Sequence, residues 1–254
     1  MNRLKGKTAI VTGATAGIGL KTAELLAAEG VHLILTGRRE ERLQEVKKEF
    51  EDRFDVSVQT ASFDVQDAEA CKTFVDSLSS SIDILVNNAG LAKGTDPVYE
   101  ASFDDWNTMI DTNMKGLLYL SRLISPQMRE RNTGHIINVG STAGHESYAG
   151  GVVYSATKHA VKAITEATKK DLHGTEVRVS MISPGLVETE FSEVRFEGDK
   201  EKAANVYKGM KPLVAQDIAE IIVFVANRPA HVNIMDTIIY PVAQSSATMV
   251  HRNE

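Results

Sequence analysis

Residues 8–19 are TAIVTGATAGIG, a short apolar run followed by a turn with glycines at positions 13, 17 and 19. Gly13 permits a tight turn, Gly17 lets the backbone approach a phosphate, and Gly19 lets a following helix pack closely on the strand. The N-terminus of such a helix offers free N–H groups and the positive end of the helix dipole. The stretch predicts a strand–turn–helix unit that binds a pyrophosphate, although a purely structural turn is the alternative.

The same alternation continues along the chain. Six further apolar runs lie at residues 31–36, 56–61, 82–87, 135–139, 177–182 and 237–240, and helical patterns separate them. Near-continuous apolar strands joined by helical crossovers indicate a parallel sheet that is covered on both faces. Because no linker or composition break interrupts the pattern, we predict one α/β domain over residues 1–254. It is a Rossmann fold with a doubly wound, seven-stranded parallel sheet and helices on both faces.

The longest stretch without a strand signal, residues 185–212, follows the predicted strand at 177–182. Open α/β sheets bind their ligands beyond the carboxyl ends of the strands. We therefore predict a substrate lid over approximately residues 186–212. A surface excursion that contains a helix is the alternative.

The composition restricts the class of protein. The formal net charge of -6 argues against non-specific binding of nucleic acid. Cys71 is the only cysteine, so a reducing compartment is expected, and the first ten residues leave no room for a signal peptide. No apolar run approaches the roughly 18 residues that a membrane span needs. We expect a cytoplasmic protein that binds neither nucleic acid nor membrane, and no metal, since no histidine has metal-ligand spacing.

The pattern T-G-x-x-x-G-x-G at residues 12–19 resembles that of the short-chain dehydrogenase/reductase family, which binds a nicotinamide dinucleotide. Further landmarks of the family follow in its order and cover most of the chain: Asn87-Asn88-Ala89-Gly90, Asn113, Ser141, Tyr154-x-x-x-Lys158 and Ser183-Pro184-Gly185. Each is weak alone, but together they are specific. The resemblance implies an oxidoreductase that interconverts an alcohol and a carbonyl.

The resemblance also implies the catalytic residues Asn113, Ser141, Tyr154 and Lys158. Tyr154 and Lys158 are four residues apart on a predicted helix and so share a face. A tyrosine pKa of about 10 is too high for proton transfer at neutral pH, but a nearby ammonium, together with a positive nicotinamide ring, favours the phenolate. In the family's roles, Tyr154 transfers the proton and Ser141 binds the substrate oxygen. Lys158 also holds the nicotinamide ribose, and Asn113 anchors a water that links Lys158 to solvent.

The resemblance implies a cofactor-binding set that extends from the glycine turn to the residues after the sixth strand. Asp64 and Val65 stand where the family holds the adenine. The remaining members are Gly13, Thr15, Ala16, Gly17, Ile18, Gly19, Asn88, Ala89, Gly90, Tyr154, Lys158, Pro184, Gly185, Val187 and Thr189.

The residues after the second strand bear on the choice between NAD and NADP. Gly37 stands where an acidic side chain would bind the ribose 2′-OH of NAD. Arg38 offers two-point hydrogen bonds to a 2′-phosphate, and Arg39 is a weaker second donor. Alternatively, both arginines simply solvate the start of a helix. We predict NADP(H) as the cofactor.

A closer resemblance concerns the substrate. The segments GLVETEFSEVRFEG at 185–198, NVY at 205–207, AHVNI at 230–234 and PVAQ at 241–244 are similar to the subgroup acting on short 3-hydroxy acids. The implied substrates are L-serine, L-allo-threonine, 3-hydroxyisobutyrate and the pair 3-hydroxypropionate/malonic semialdehyde. Arg195 is expected to anchor the carboxylate, while Ser141 and Tyr154 bind the hydroxyl. A surface ion pair of Arg195 with Glu193 or Glu197 is the alternative.

Other functions remain open at this point. The chain could be a general carbonyl reductase or a 3-oxoacyl-carrier-protein reductase, although its acidic charge suits an acidic carrier protein poorly. It could also be a non-catalytic NADPH-binding regulator, against which the complete catalytic set argues. Since family members are commonly tetramers, we expect a homotetramer. Its contact would include Met109, Leu117, Leu118 and Ala163.

Overall fold

The computed structural model describes residues 2–253. The strands are β1 (Thr8–Thr12), β2 (His32–Gly37), β3 (Val58–Ser62), β4 (Ile84–Asn87), β5 (Gly134–Val139), β6 (Val177–Pro184), β7 (Val187–Glu188), β8 (Leu213–Val214) and β9 (Asp236–Ile239). Seven of them form one sheet in the order β3-β2-β1-β4-β5-β6-β9, and every pairing in it is parallel. The predicted seven-stranded parallel sheet is confirmed.

The helices are α1 (Gly17–Ala28), α2 (Glu40–Arg53), α3 (Ala68–Asp76), α4 (Phe103–Ile110), α5 (Leu117–Glu130), α6 (Val152–Asp171), α7 (Glu190–Arg195), α8 (Lys200–Asn205) and α9 (Ala215–Ala226). A π-helical turn, Asp111–Gly116, joins α4 to α5, and a 3-10 turn, Thr142–Gly144, precedes α6.

The sheet has a hydrophobic core on each face. Alternate side chains of β1 point to opposite faces, so Ala9 and Val11 belong to one core and Ile10 belongs to the other. The first core packs against α1, α2 and α9, and the second packs against α3 and α5. Helices therefore cover both faces, as the doubly wound prediction requires.

The order of the strands determines where the sheet opens into a crevice. β1 pairs with β2 on one side and with β4 on the other, so the connections leave β1 and β4 in opposite directions. Such a change of direction opens a crevice at the carboxyl ends of the strands. The turn at Gly13, the segment from Asn88 to Gly90, the Ser141 loop and Pro184 all lie at these ends.

The segment predicted as a lid contains structure that the sequence analysis did not predict. β7 and β8 pair in parallel as a separate small sheet, Val187 with Leu213 and Glu188 with Val214, and α7 and α8 lie between them. Two-residue strands are too short to produce a periodic pattern, so periodicity could not have found them.

Two of the four residues expected at a subunit contact lie inside the fold. Met109 and Leu117 are 3% and 6% exposed and belong to buried clusters. Helix periodicity directs both side chains inward, whereas Leu118 and Ala163 face outward. Only the latter two are accessible to a partner. No helix within residues 2–253 is long and apolar enough to cross a membrane.

Candidate active site

A cleft of about 370 Å³ follows the carboxyl edge of the sheet from the glycine turn to Tyr154. Most residues of the predicted site line it: Gly13, Thr15, Ala16, Gly17, Ile18, Arg39, Asn88, Ala89, Gly90, Ser141, Tyr154, Lys158, Pro184, Gly185, Val187, Thr189 and Arg195. Five predicted residues are not part of the lining: Gly19, Arg38, Asp64, Val65 and Asn113.

The glycine turn leaves the start of α1 open to an anion. Gly13 and Gly17 adopt left-handed backbone angles, with φ of 65° and 53°. A Cβ on Gly19 would lie 2.4 Å from the carbonyl oxygen of Gly13, so only glycine fits there. α1 has no side-chain cap at Ala16 and no acidic residue in its first turn. Its N-terminal amides and dipole therefore suit the pyrophosphate of a dinucleotide.

Asn88 and Thr12 join the ends of β4 and β1. The Asn88 side-chain amide donates to the Thr12 carbonyl at 2.8 Å, and the amides of Asn88 and Ala89 both donate to Thr12 Oγ1 at 2.9 Å. These bonds hold the glycine turn against the segment that follows β4. Asn88 thus lines the cleft and also fixes the position of the glycine turn.

The two arginines after β2 occupy different places. Arg39 lines the cleft and donates from Nε and Nη2 to Thr15 Oγ1, at 3.1 and 2.9 Å. Arg38 lies outside the lining, and its Nη1 is 3.6 Å from Asp64 Oδ2. A Cβ on Gly37 would lie 3.2 Å from the Thr15 side chain. Of the two arginines, Arg39, which was expected to be the weaker donor to a 2′-phosphate, is the one that lines the cleft.

Ser141, Tyr154 and Lys158 come together at the other end of the cleft. Tyr154 and Lys158 lie on one face of α6 and are only 9% and 6% exposed. Lys158 Nζ donates to the Val139 carbonyl at 2.9 Å and lies 5.9 Å from the centroid of the Tyr154 ring. Ser141 lines the same end of the cleft, where its Oγ accepts from the Ala143 amide at 3.1 Å and lies 3.5 Å from the Pro184 carbonyl oxygen.

Burial governs the ionisation of both α6 residues. Burial raises the pKa of Tyr154 to about 12, although a hydrogen bond with Ser141 and the charge of Arg195 act in the opposite direction. Burial also lowers the pKa of Lys158 to about 8. For the protein groups alone, desolvation of the phenolate outweighs the nearby charges. The prediction that Lys158 and the nicotinamide ring together lower the pKa of Tyr154 stays a prediction. An additional positive charge at the site is needed to reverse the direction.

Asn113 holds neighbouring segments together. Its Nδ2 donates to the Leu91 carbonyl at 2.8 Å and to Thr157 Oγ1 at 3.1 Å, while its Oδ1 accepts from the Leu91 amide at 2.8 Å. Both side-chain N–H groups are thus used by the protein. The expected role of Asn113, to anchor a water that links Lys158 to solvent, stays a prediction. These bonds fix the loop after β4 to the helix of Tyr154.

Arg195, in α7, reaches the Tyr154 end of the cleft. Its Nε donates to the Gly94 carbonyl at 3.1 Å, and its Cζ lies 5.8 Å from the centroid of the Tyr154 ring. The alternative ion pair with Glu193 or Glu197 is not formed within residues 2–253, and Glu197 instead lies 3.4 Å from Lys93. Arg195 therefore brings its guanidinium to the end of the cleft that contains Tyr154.

Several residues of the cleft have no role predicted from the sequence. Phe191 packs on Tyr154 with ring centroids 5.8 Å apart, and the Tyr207 hydroxyl donates to the Val187 carbonyl at 2.7 Å. Gln244 Oε1 accepts from the Leu186 amide at 2.8 Å. Tyr207 and Gln244 belong to the segments that resemble the subgroup, so that resemblance was the available signal. Tyr148 lies in the loop before α6, and no motif in the sequence indicated a role for it.

No metal-ligating group is evident in the part of the chain that the structure describes. No three or more histidine, cysteine, aspartate or glutamate side chains come together there as metal ligands. Cys71 is buried in the core, away from the cleft, and burial raises the pKa of its thiol to about 11.

The chain is similar to several known proteins. A sequence model described as short chain dehydrogenase matches residues 7–200. The chain is 46% identical to an NADP-dependent 3-hydroxy acid dehydrogenase of Schizosaccharomyces pombe, with both chains covered completely. It is 51% identical to a protein of the same description from Salmonella typhi, over 96% of this chain and 99% of that one.

Among solved structures, the chain is similar to the closed form of a serine dehydrogenase complexed with NADP+. The TM-score is 0.91 and the sequence identity is 49%, and the match covers 97% of this chain and all of that one. The fold, the glycine turn, the grouping of Ser141, Tyr154 and Lys158, and these similarities lead to one conclusion. The chain belongs to the short chain dehydrogenase family of oxidoreductases.

Proposed function

We propose that the chain is an NADP-dependent dehydrogenase that interconverts a short 3-hydroxy acid and the corresponding 3-oxo acid. The observation that carries the proposal is the position of Arg195, whose guanidinium enters the same end of the cleft as Ser141 and Tyr154. The names of the S. pombe and S. typhi relatives support the same substrate class. The candidate substrates are L-serine, L-allo-threonine, 3-hydroxyisobutyrate and 3-hydroxypropionate, or malonic semialdehyde in the direction of reduction.

The residues of the cleft fit an NADP molecule. The amides at the start of α1, exposed by Gly13 and Gly17, would hold the pyrophosphate. Arg39 and Arg38 would hold the 2′-phosphate, since guanidinium groups bind phosphate in two-point geometry. Lys158 would hold the nicotinamide ribose. When bound, this coenzyme supplies the hydride acceptor for oxidation and the hydride donor for reduction.

The chain's own residues handle the proton and the substrate oxygen. In oxidation, Tyr154 Oη accepts the proton of the substrate hydroxyl, and in reduction it returns a proton to the carbonyl oxygen. Ser141 binds the same oxygen and stabilises the charge that develops there. Lys158, whose Nζ donates to the Val139 carbonyl, would contribute one positive charge beside the Tyr154 ring, and a bound nicotinamide would contribute a second. Together these charges would favour the phenolate of Tyr154.

Arg195 would bind the substrate carboxylate. A small hydroxy acid buries little surface, so most of its binding energy must come from its charged end. The Nη1 of Arg195 has no hydrogen-bond partner within residues 2–253, whereas its Nε and Nη2 are bonded to the protein. The guanidinium therefore has free N–H groups with which to meet a carboxylate.

A substrate panel tests this proposal. The purified protein is assayed with NADP+ and L-serine, 3-hydroxypropionate or methyl 3-hydroxypropionate, and separately with NADPH and a 3-oxoacyl thioester of carrier protein. We expect oxidation of the acids, with the neutral ester a much poorer substrate. Turnover restricted to the thioester or to neutral carbonyls would overturn the substrate assignment, and absence of all turnover would favour a non-catalytic NADPH-binding protein.

The homotetramer and the cytoplasmic location stay predictions. Of the four residues expected at an apolar subunit contact, Leu118 and Ala163 are exposed, on α5 and α6. Sedimentation equilibrium of the protein gives its mass in solution directly, and a monomer would contradict the expected assembly.

A further inference from the structure

Tyr148 contacts Arg195 but has no part in the function proposed above. It lies in the loop between the 3-10 turn and α6, half-buried, and lines the cleft. Its hydroxyl accepts a hydrogen bond from Arg195 Nη2 at 2.9 Å, and the Arg195 Cζ lies 5.6 Å from the centroid of its ring. This contact joins α7, in the segment predicted as a lid, to the loop that leads into the helix of Tyr154.

The guanidinium of Arg195 is held on two sides. Gly94 accepts from its Nε at 3.1 Å, and the Gly94 amide in turn donates to the Arg195 backbone carbonyl at 3.0 Å. Tyr148 provides the second contact, through its hydroxyl and its ring. An arginine side chain loses considerable rotamer freedom when it binds a ligand, and prior fixation reduces that loss.

The Tyr148 ring is itself seated against the start of α6. A Cβ on Gly151, the N-cap residue of α6, would lie 2.5 Å from the ring, so the ring occupies the space that a side chain would fill. The Gly151 amide also donates to the Tyr148 carbonyl at 3.1 Å. α6 also carries Tyr154. The packing of the Tyr148 ring against α6 therefore connects the position of Arg195 to the position of the Tyr154 hydroxyl.

The chemistry of the contact suits a carboxylate-binding site. A tyrosine hydroxyl accepts the guanidinium N–H without neutralising its charge, whereas an acidic partner would compete with the substrate. Glu197, two residues from Arg195, is directed to Lys93 at 3.4 Å. Arg195 thus keeps a full positive charge and a fixed orientation.

We propose that Tyr148 is a positioning residue that holds Arg195 in the cleft beside Tyr154, where the guanidinium can bind the carboxylate of a 3-hydroxy acid. The inference rests on the proposed function, because it requires Arg195 to bind the substrate carboxylate. It adds that selectivity for the acid depends on a neutral hydroxyl that does not touch the reacting atoms.

The test is Tyr148→Phe, which keeps the ring and removes the hydroxyl. We expect KM for 3-hydroxypropionate to rise about tenfold or more, since a hydrogen bond to a charged group is lost. We expect kcat to stay within about threefold, and the kcat/KM for methyl 3-hydroxypropionate to change little. Tyr99→Phe, at a tyrosine that is 80% exposed, is the matched control and should match the wild type. The thermal unfolding midpoint and the NADPH affinity of each variant establish that it is folded.

A double-mutant cycle with Arg195→Met decides whether Tyr148 acts through Arg195. If it does, Tyr148→Phe has little further effect on the acid once Arg195 is replaced, because coupled residues are not additive. An equal loss for acid and ester, or an unchanged KM for the acid, would overturn the inference. The proposed function fails separately, if wild-type protein does not oxidise hydroxy acids or if Arg195→Met leaves their kinetics unchanged.

Discussion

Arg39 Nη1 lies 3.1 Å from Glu190 Oε2, so an ion pair connects the end of β2 with the first residue of α7. The same guanidinium donates to Thr15 beside the glycine turn. Arg39 therefore stands between the proposed 2′-phosphate position and the segment predicted as a lid. Both members of the pair are more than half exposed, so the pair itself contributes little to stability. The ion pair instead holds the Arg39 side chain at the cleft, beside Thr15.

This position leads to a prediction about cofactor choice. Arg39→Met and Arg38→Met should each weaken NADPH binding, by about 1.5–3 kcal/mol for a lost charged hydrogen bond to phosphate. Arg39→Met should have at least as large an effect as Arg38→Met, because only Arg39 lines the cleft. NADH binding should be unchanged in both.

Fluorescence titration of NADPH and NADH with each variant measures these affinities. Arg42→Met, which removes an arginine paired with Glu45 on α2, is the control and should bind as the wild type does. If the ratio of NADPH to NADH affinity is the same in all three variants, the 2′-phosphate lies elsewhere.

Replacement of Tyr154 tests the proton transfer. Tyr154→Phe keeps the buried ring and its contact with Phe191 but removes the hydroxyl. We expect a normal unfolding midpoint, retained NADPH binding and a loss in kcat of at least about 10²-fold. Steady-state kinetics of 3-hydroxypropionate oxidation give the value. Activity within a few-fold of the wild type would assign the proton transfer to another group.

The lowered pKa of Lys158 predicts a pH dependence of stability. Its folded pKa is about 8, whereas an unfolded lysine has a pKa of about 10.4. Because burial disfavours the charged ammonium, the folded protein is most stable above the unfolded pKa of the lysine. This stability is lost as the pH falls through the folded pKa. Lys158→Met should therefore gain stability relative to the wild type at pH 7, on the order of 3 kcal/mol, and most of this gain should vanish by pH 10.

Urea unfolding of the wild type and of Lys158→Met between pH 7 and about pH 10 checks this. The raised pKa of Tyr154 acts on stability only above its unfolded value of about 10. The raised pKa of the Cys71 thiol acts from about pH 8.5 upward but affects both proteins equally, so the difference between them isolates the lysine. Lys170→Met, at an exposed position on the same helix, should show no such trend. A stability difference for Lys158→Met that does not vary with pH would mean that Lys158 is not desolvated as the structure indicates.

Asn113 should prove to be more important for stability than a residue that only contacts water. Asn113→Ala removes three hydrogen bonds to Leu91 and Thr157 and leaves their polar groups buried. We expect a loss of about 3 kcal/mol in the free energy of unfolding, at about 1 kcal/mol for each bond. Urea denaturation measures it, with the exposed Asn107→Ala as control. A change below about 0.5 kcal/mol for Asn113→Ala would contradict this role.

Local signals in the sequence were sufficient for the framework and for part of the site. The apolar runs predicted all seven strands of the main sheet, and the glycine spacing predicted the turn before α1, because both depend on neighbouring residues. The i,i+4 spacing likewise placed Tyr154 and Lys158 on one helix face.

Contacts between residues that are distant in the sequence could not be predicted from local patterns. Arg195 meets Gly94, 101 residues away, and Tyr148, 47 residues away. The preference of Arg38 for Asp64 and of Arg39 for Thr15 depends on how β2 and β3 end against each other. The direction of the Tyr154 pKa depends on burial, which spacing does not report. In each case tertiary packing selects the partner.

We propose that one cleft binds a carboxylate at Arg195 and transfers a proton at Tyr154. Steady-state kinetics with 3-hydroxypropionate and with its methyl ester, in the wild type and in Arg195→Met, give kcat/KM for an acid and for its neutral counterpart. We expect the variant to lose about 30-fold or more in kcat/KM for the acid, equivalent to about 2 kcal/mol, and to change little for the ester. An equal loss for both substrates, or none for either, would contradict it.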